Sequence, residues 1–180
     1  MRTATALALS FLLSLTTGCD GDETLPEPKP KPKKASFERE AEPAGPRLWL
    51  DAARGDDGRL RIEVYGAALG QVFGWAAHVR HDAGALAVEA GALTETLGAT
   101  TEAARFVSLA EGDAALGEAR RGAALGGVAI DEPTVLAVLE IAEPEATSDV
   151  ALDRVVVRRA DGSWVEVATA GGVLTEGGAP

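Results

Sequence analysis

Residues 72–88 (VFGWAAHVRHDAGALAV) constrain the fold most, because their apolar side chains alternate with the two-residue period of a strand. The face that we predict to be buried carries Trp75, Ala77, Val79 and His81. The opposite, exposed face carries our candidate binding residues, which are Gly74, Ala76, His78 and Arg80. A turn at residues 82–85 follows, and Leu86 and Val88 resume the alternation. This stretch therefore predicts the central piece of a β-sandwich.

From residue 47 onward, the chain shows the same strand pattern in shorter pieces. Alternating segments lie at residues 47–52, 59–65, 134–142, 153–159, 164–168 and 173–174. Two of the connections, RGDDG and ADGS, have the Gly and Asp content of hairpin turns. Residues 89–127 are rich in Ala, which favours helix, but their glycines and the FVSL and GEARRGA segments favour short strands. We predict an all-β fold, a single jelly-roll-type sandwich of eight or nine strands.

Composition divides the chain into three parts. Residues 1–18 have an early Arg2, an apolar stretch too short to span a bilayer, and small residues before Cys19, as in an export signal. Residues 19–46 are rich in Pro, Lys and Glu and predict a disordered linker, whose alternating Pro and Lys favour an extended stalk. Residues 47–177 predict the folded domain.

The segment before Cys19, LTTG, resembles the lipobox of bacterial lipoproteins, although Thr16 stands where the usual pattern has Leu. The resemblance implies that Cys19 is acylated and anchors the protein to a lipid bilayer of the bacterial cell envelope. The alternative is an ordinary cleaved signal with an incidental cysteine. Cys19 is the chain's single cysteine, so an intramolecular disulfide is excluded.

The net charge of the chain is −11, which argues against nucleic-acid binding because that affinity depends on Lys and Arg neutralising phosphates. The lysine run of the linker could attract an anionic surface, but flanking glutamates cancel most of its charge. We therefore interpret the linker as a stalk.

The folded segment resembles the cohesin domain, on the strength of its Gly74-Trp75 pair, the HVRHD and Leu-x-Val segments that follow, the VLAVLEI strand and the VVVRRADGSWVEV hairpin. The resemblance implies a β-sandwich that binds a protein, with a calcium-loaded dockerin as the family's partner. Cellulosomal cohesins carry polar residues at the positions of Gly74 and Ala76, and His81 replaces an aromatic residue. The resemblance thus favours the fold more than the dockerin interface.

No catalytic or metal site is predicted. His78, His81 and Asp82 offer ligand chemistry, but residues three apart on a strand point to opposite faces. We expect His81 to be a buried, hydrogen-bonded histidine and Asp82 to be a turn residue. The carboxylates of residues 51–57 do not have EF-hand spacing and predict a solvated turn. No motif of a hydrolase or nucleotide-binding enzyme occurs, and no cofactor is expected.

The chain's three tryptophans, Trp49, Trp75 and Trp164, lie in strand patterns and are expected in the core. The alternative is an aromatic platform for a polysaccharide. Two functions from different classes therefore remain open. One is a membrane-anchored, non-catalytic module that binds an envelope or extracellular protein, and the other is a carbohydrate-binding module. A purely structural envelope role is a third possibility.

Overall fold

The computed structural model describes residues 34–122 and 126–177, which form thirteen strands and no helix. The predicted export signal, Cys19 and most of the predicted stalk lie outside these residues. The strands are β1 (Ser36–Arg39), β2 (Arg47–Arg54), β3 (Leu60–Ala67), β4 (Gly70–His81), β5 (Val88–Leu93), β6 (Ala103–Ala110), β7 (Asp113–Arg120), β8 (Val128–Ile130), β9 (Thr134–Ile141), β10 (Ser148–Arg159), β11 (Trp164–Val165), β12 (Ala168–Ala170) and β13 (Gly172–Thr175).

Two sheets make up the sandwich, which confirms the predicted fold class. The eight-stranded sheet has the order β1-β13-β10-β4-β7-β6, with β11 paired to β10 and β8 paired to β4. The five-stranded sheet has the order β12-β2-β3-β9-β5. All of these pairs are antiparallel except β12 with β2. The strands that the sequence did not predict are short ones of three or four residues, such as β1 and β8.

The core lies between the sheets and is built by the predicted alternation. On β4, Trp75, Ala77 and Val79 are almost completely buried and belong to one cluster with side chains from both sheets, including Leu50 and Leu139. Burial of each large aliphatic side chain contributes about 1.5–3 kcal/mol relative to exposure. Because side chains alternate along β4, its candidate binding residues lie on the opposite face, which points away from the core.

The turn after β4 moves the chain from one sheet to the other. The Asp82 carbonyl accepts hydrogen bonds from the N–H groups of Ala85 and Leu86, and the Asp82 carboxylate accepts one from Gly84 N at 2.9 Å. Asp82 is thus the turn residue that the sequence predicts. Because Val88 begins β5 in the five-stranded sheet, the two alternating segments around this turn do not pair with each other.

The structure corrects the boundary between linker and domain. Residues 36–39, which we had assigned to the linker, form β1 and pair with β13 in antiparallel register, Ser36 opposite Thr175 and Arg39 opposite Gly172. The Phe37 ring lies over Gly172 and packs against the main core. A single aromatic side chain and a long-range pairing partner therefore order a segment whose own composition predicts disorder.

The Ala- and Gly-rich region forms strands, as the sequence interpretation favoured. The predicted FVSL strand lies inside β6, and β7 begins and ends earlier than the predicted GEARRGA strand. Gly112 connects them with a φ of 72°, a conformation that side chains other than glycine rarely adopt. None of the described residues belongs to a helix with the length and hydropathy needed to cross a membrane.

Candidate functional site

The candidate binding residues lie together on the outer face of the eight-stranded sheet. His78 and Arg80 are half-buried, Ala76 is partly exposed, and Gly74 is covered by its neighbours. Since β4 is flanked by β10 and β7, these residues form the middle of a surface that β6 and β11 extend on either side. We call this outward surface of β4, β6, β7, β10 and β11 the groove face.

An open apolar groove with a volume of about 460 Å³ crosses the groove face at its Gly74 end. Three large apolar side chains are exposed along it, with exposed fractions of 50% for Phe106, 46% for Val156 and 68% for Trp164. The groove is completed by Phe73, Gly74, Ala76, Ala104 and Ala119. Contiguous exposed apolar surface with polar surroundings is typical of interaction sites.

Small residues create the floor of the groove. Gly74 lies directly opposite Ala119 on β7, and a Cβ at Gly74 would stand only 3.1 Å from the Ala119 Cβ. Phe106 lies opposite Gly117, where a Cβ would overlap the aromatic ring. The missing side chains at Gly74 and Gly117 therefore lower the floor and let the Phe106 ring lie flat on the sheet.

A β-bulge on β10 turns Val156 and Arg158 outward. The register with β4 shifts between Asp153 and Val156, and Arg154 at the bulge has a φ of 48°. Before the bulge, even-numbered Val150 and Leu152 face the core, whereas after it the buried residue is Val157. One extra residue thus exchanges the two faces of the strand.

Trp164 pairs with β10 beyond the bulge and also points outward. The prediction that it lies in the core is therefore wrong. β11 pairs Trp164 with Arg158, whose guanidinium lies 6.0 Å from the indole centroid. The turn before Trp164 is held by Asp161, whose carboxylate accepts hydrogen bonds from Ser163 Oγ at 2.6 Å and Ser163 N at 2.8 Å. These bonds lower the pKa of the Asp161 carboxyl. The other two tryptophans, Trp49 and Trp75, are buried as predicted.

The opposite end of the groove face carries charges that pair with one another. His78 Nδ1 lies 2.9 Å from the Asp113 carboxylate, and Arg80 Nε lies 3.6 Å from both Asp113 and Asp153. Exposed pairs of this kind are each worth about 0–1 kcal/mol. His78 and Arg80 are therefore engaged by neighbouring strands, while Gly74 and Ala76 face the apolar groove.

His81 differs from its prediction in one respect. It has the inward parity of Val79, so it does not converge with His78, as the strand geometry predicts. Both ring nitrogens are enclosed, but neither has a hydrogen-bond partner among the described residues. The expected hydrogen bond is therefore wrong. In residues 34–122 and 126–177, no three His, Cys, Asp or Glu side chains gather as ligands for a metal ion.

Two of the three carboxylates of residues 51–57 contact arginines. Asp51 lies 3.1 Å from Arg39, and Asp57 lies 3.2 Å from Arg61 while also accepting the Arg59 N–H in the turn. These distances agree with the predicted turn. Asp57 therefore stabilises the turn between β2 and β3 and pairs with Arg61 of the five-stranded sheet, whereas Asp51 pairs with Arg39 on β1 of the eight-stranded sheet.

Beneath the groove lies a buried charged residue that the sequence analysis missed. Glu118 is 1% exposed; its carboxylate accepts a hydrogen bond from Arg105 Nε at 3.0 Å and one from Leu97 N at 3.2 Å. Arg105 also donates to the Gly98 carbonyl and to Thr100. The pair fastens the loop between β5 and β6. The sequence did carry a signal for this residue, because Glu118 lies two positions after Leu116 in the ALGEAR segment and therefore on the same, inward face of the strand.

Comparison with known proteins finds similarity in structure and not in sequence. No protein-family model matches the chain, and no curated protein sequence matches it. A chain of the crystal structure of the CaDoc0917–CaCohA2 complex is similar, with a TM-score of 0.60, 15% identity, and coverage of 73% of this chain and 99% of that chain. CaCohA2 comes from Clostridium acetobutylicum.

Two further solved structures are similar over comparable lengths. For the Coh-OlpC–Doc435 type I cohesin–dockerin complex from Clostridium thermocellum, the TM-score is 0.56 at 10% identity, covering 77% of this chain and 98% of that chain. For the non-cellulosomal cohesin from the archaeon Archaeoglobus fulgidus, it is 0.54 at 14% identity, covering 72% and 89%. The described β-sandwich therefore has the fold of cohesin modules.

Proposed function

We propose that this chain is a non-catalytic, cohesin-like binding module that recognises another protein through the groove face, displayed on the cell envelope by an acylated Cys19 and a Pro- and Lys-rich stalk. The observation that supports it most is the exposed apolar groove formed by Phe106, Val156 and Trp164 on the strand face where the resemblance places partner binding. Similar structures of cohesins are described as complexes with dockerins.

The chemistry of the groove suits an apolar side chain of a partner. Cohesins of cellulosomes have polar residues where this chain has Gly74 and Ala76, and here the lack of larger side chains at these positions deepens the groove. Aromatic residues in a well-packed pocket are typical energetic centres of protein interfaces. We therefore propose that the partner inserts an apolar side chain here, and that a dockerin is one candidate among envelope and extracellular proteins.

Affinity capture tests the proposal. The full-length protein is immobilised and exposed to envelope and secreted fractions of the cells that produce it, followed by elution with a calcium chelator. We expect Val156→Asp, which places a carboxylate in the groove, to abolish retention of a partner that the unaltered protein retains. The matched control is Ala53→Asp, which puts the same carboxylate on an exposed strand position of the other sheet.

The outcomes separate the versions of this function. Release by the chelator supports a dockerin-type partner, whereas release by high salt alone supports a different protein. Equal retention by Val156→Asp and Ala53→Asp variants would contradict binding through the groove.

A second candidate is a carbohydrate-binding module, which the exposed indole of Trp164 favours because aromatic faces stack on sugar rings. It predicts that a soluble glycan, and not the chelator or salt, releases the retained material. Trp164→Ala should then abolish retention without changing thermal stability.

The anchor is tested separately. Cys19→Ala should move the protein from the detergent phase to the aqueous phase in a phase partition of whole cells, because acylation would supply its membrane affinity. Unaltered partition would contradict the lipid anchor.

A further inference from the structure

Three arginines converge at the outer end of the groove in a chain whose net charge is −11. Arg120, at the end of β7, and Arg158 and Arg159, at the end of β10, line a pocket of about 320 Å³. The pocket adjoins the apolar groove, because Phe73 and Arg158 line both. We call these three residues the arginine cluster.

Within the described residues the arginine cluster has few carboxylate partners, and the charge of Arg159 acts on the Asp161 carboxylate without an ion-pair contact. Its one ion pair within the described residues joins Arg120 Nη2 to Glu102 at 3.8 Å, while Arg120 Nε is enclosed and has no hydrogen-bond partner there. Arg159 Nε reaches only the Leu69 carbonyl, at 3.4 Å. By contrast, Arg54 on β2 of the five-stranded sheet lies 2.6 Å from the Glu143 carboxylate. Guanidinium groups left with free donors are ready to bind a carboxylate through paired hydrogen bonds.

We propose that the partner's docking segment carries an acidic residue next to its apolar anchor, so that the anchor enters the groove while the carboxylate binds the arginine cluster. This inference rests on the proposed protein-binding function and adds the chemistry of the partner. The groove walls are carbon-rich side chains such as Phe106, Val156 and Trp164, which offer few of the hydrogen bonds that sugar hydroxyls require. A protein segment satisfies both regions at once.

A displayed library of random twelve-residue peptides, selected against the full-length protein in detergent, tests this chemistry. We expect the enriched peptides to carry Asp or Glu within a few positions of Leu, Ile, Phe or Trp. Their binding should weaken by about tenfold in an R158Q/R159Q variant, since a lost charge pair at an interface costs more than a rim contact. Raising the salt concentration should weaken binding to the unaltered protein as well.

The control variant is R59Q/R61Q, which removes the same charge from two arginines that contact Glu140 on β9 of the five-stranded sheet. It should leave peptide binding within about twofold, because exposed charges distant from the site are screened. Urea unfolding midpoints establish that both variants fold. If Arg159 proves necessary for folding through Leu69, R158Q alone provides the test, because the Arg158 guanidinium has no ion pair among the described residues and lies 6.0 Å from the centroid of the exposed Trp164 ring.

The remaining outcomes divide the two proposals. Selected peptides whose affinity falls with Val156→Asp but not with R158Q/R159Q would overturn the acidic partner and leave groove binding intact. Enrichment of peptides in Lys and Arg, with the same sensitivity to Val156→Asp, would have the same meaning. Failure to enrich any peptide sensitive to Val156→Asp would overturn both. Binding to phosphatidylglycerol vesicles that disappears in R158Q/R159Q would assign the arginine cluster to a membrane surface and overturn the protein partner.

Discussion

The two outer faces of the sandwich are both formed by largely antiparallel strands, yet they differ in how far their aromatic side chains are exposed and their arginines are paired. On the five-stranded sheet, Trp49 stacks on Tyr65 with ring centroids 5.2 Å apart and an interplanar angle of 11°, and Trp49 is 3% exposed. On the groove face, Trp164 and Phe106 are left open. We call the outward surface of β2, β3 and β9 the charged face.

The charged face neutralises its own arginines. Arg61 contacts Asp57 and Glu140, Arg59 contacts Glu140 at 3.2 Å, and the Tyr65 hydroxyl donates to Glu63 at 2.6 Å. The groove face instead leaves an apolar groove beside partly neutralised arginines. The difference teaches that Arg59 and Arg61 of the charged face have carboxylate partners within the chain, whereas the groove face offers apolar and cationic groups that a partner can satisfy.

Replacing a tryptophan by alanine on each face should produce the largest difference in the free energy of unfolding. Trp49→Ala should lower the free energy of unfolding by about 3–5 kcal/mol, because it removes a buried aromatic side chain and leaves a cavity. Trp164→Ala should change it by no more than about 0.5 kcal/mol, since the indole is exposed. Urea denaturation of both variants measures the difference. Equal destabilisation would mean that the groove is part of the core and would remove the comparison.

Tyr65 provides a spectroscopic test of the charged face. The hydrogen bond to Glu63, followed by burial and the negative charge of Glu63, raises the pKa of Tyr65 to about 12 from its ordinary value of 10. Because Tyr65 is the chain's single tyrosine, absorbance at 295 nm during an alkaline titration reports it directly. The folded protein should titrate near 12 and the unfolded chain near 10.

The same shift gives the sign of the stability change. A pKa raised by folding means that the contribution of Tyr65 is fully present below pH 10 and is lost as the pH rises through about 12. Tyr65→Phe should cost about 0.5–1.5 kcal/mol at pH 8 through loss of the hydrogen bond. Glu63→Gln is the control, and it should return the Tyr65 titration toward 10. A folded-state midpoint already near 10 would refute the bond.

Much of this fold could be predicted from local patterns. The alternation of β4 identified the buried Trp75 and Val79, and the Asp-Gly pair before Ser163 identified the β10–β11 hairpin, where Gly162 has a φ of 86°. β1 could not be predicted in this way, because its contact from Ser36 to Thr175 spans 139 positions of sequence. A segment whose order depends on a distant strand has no local pattern of its own.

The candidate site was predictable up to the bulge. Parity alone placed Gly74, Ala76, His78 and Arg80 on one face, since β4 alternates regularly through them. The same reasoning applied to β10 and β11 failed for Trp164, because the extra residue near Arg154 exchanges the faces of the strand and its position is set by pairing with β4. The groove is therefore a consequence of an irregularity that periodicity does not reveal.

A smaller effect is expected at the edge of the charged face, where Arg54 and Glu143 lie 2.6 Å apart. The hydrogen bond from Arg54 lowers the pKa of the Glu143 carboxyl below its ordinary 4.5. The pair's contribution is therefore present above pH 4.5 and is lost as the pH falls through the folded-state pKa. Glu143→Gln should cost up to about 1 kcal/mol at pH 7 and nothing at pH 2, as measured by urea midpoints. A difference that persists at pH 2 would show that packing, and not charge, is responsible.

The smallest effect compares one arginine from each face. Arg61→Gln removes contacts to Asp57 and Glu140 and should lower the free energy of unfolding by up to about 1 kcal/mol at low salt, with the loss shrinking as salt screens the pairs. Arg158→Gln removes a guanidinium that has no ion pair among the described residues and lies near Arg159, so stability should stay the same or rise slightly. Urea midpoints at 0.05 and 0.5 M salt measure both. If Arg158→Gln were the more destabilising variant, the arginine cluster would be a structural element of the sandwich, and its availability to a partner's carboxylate would have to be abandoned.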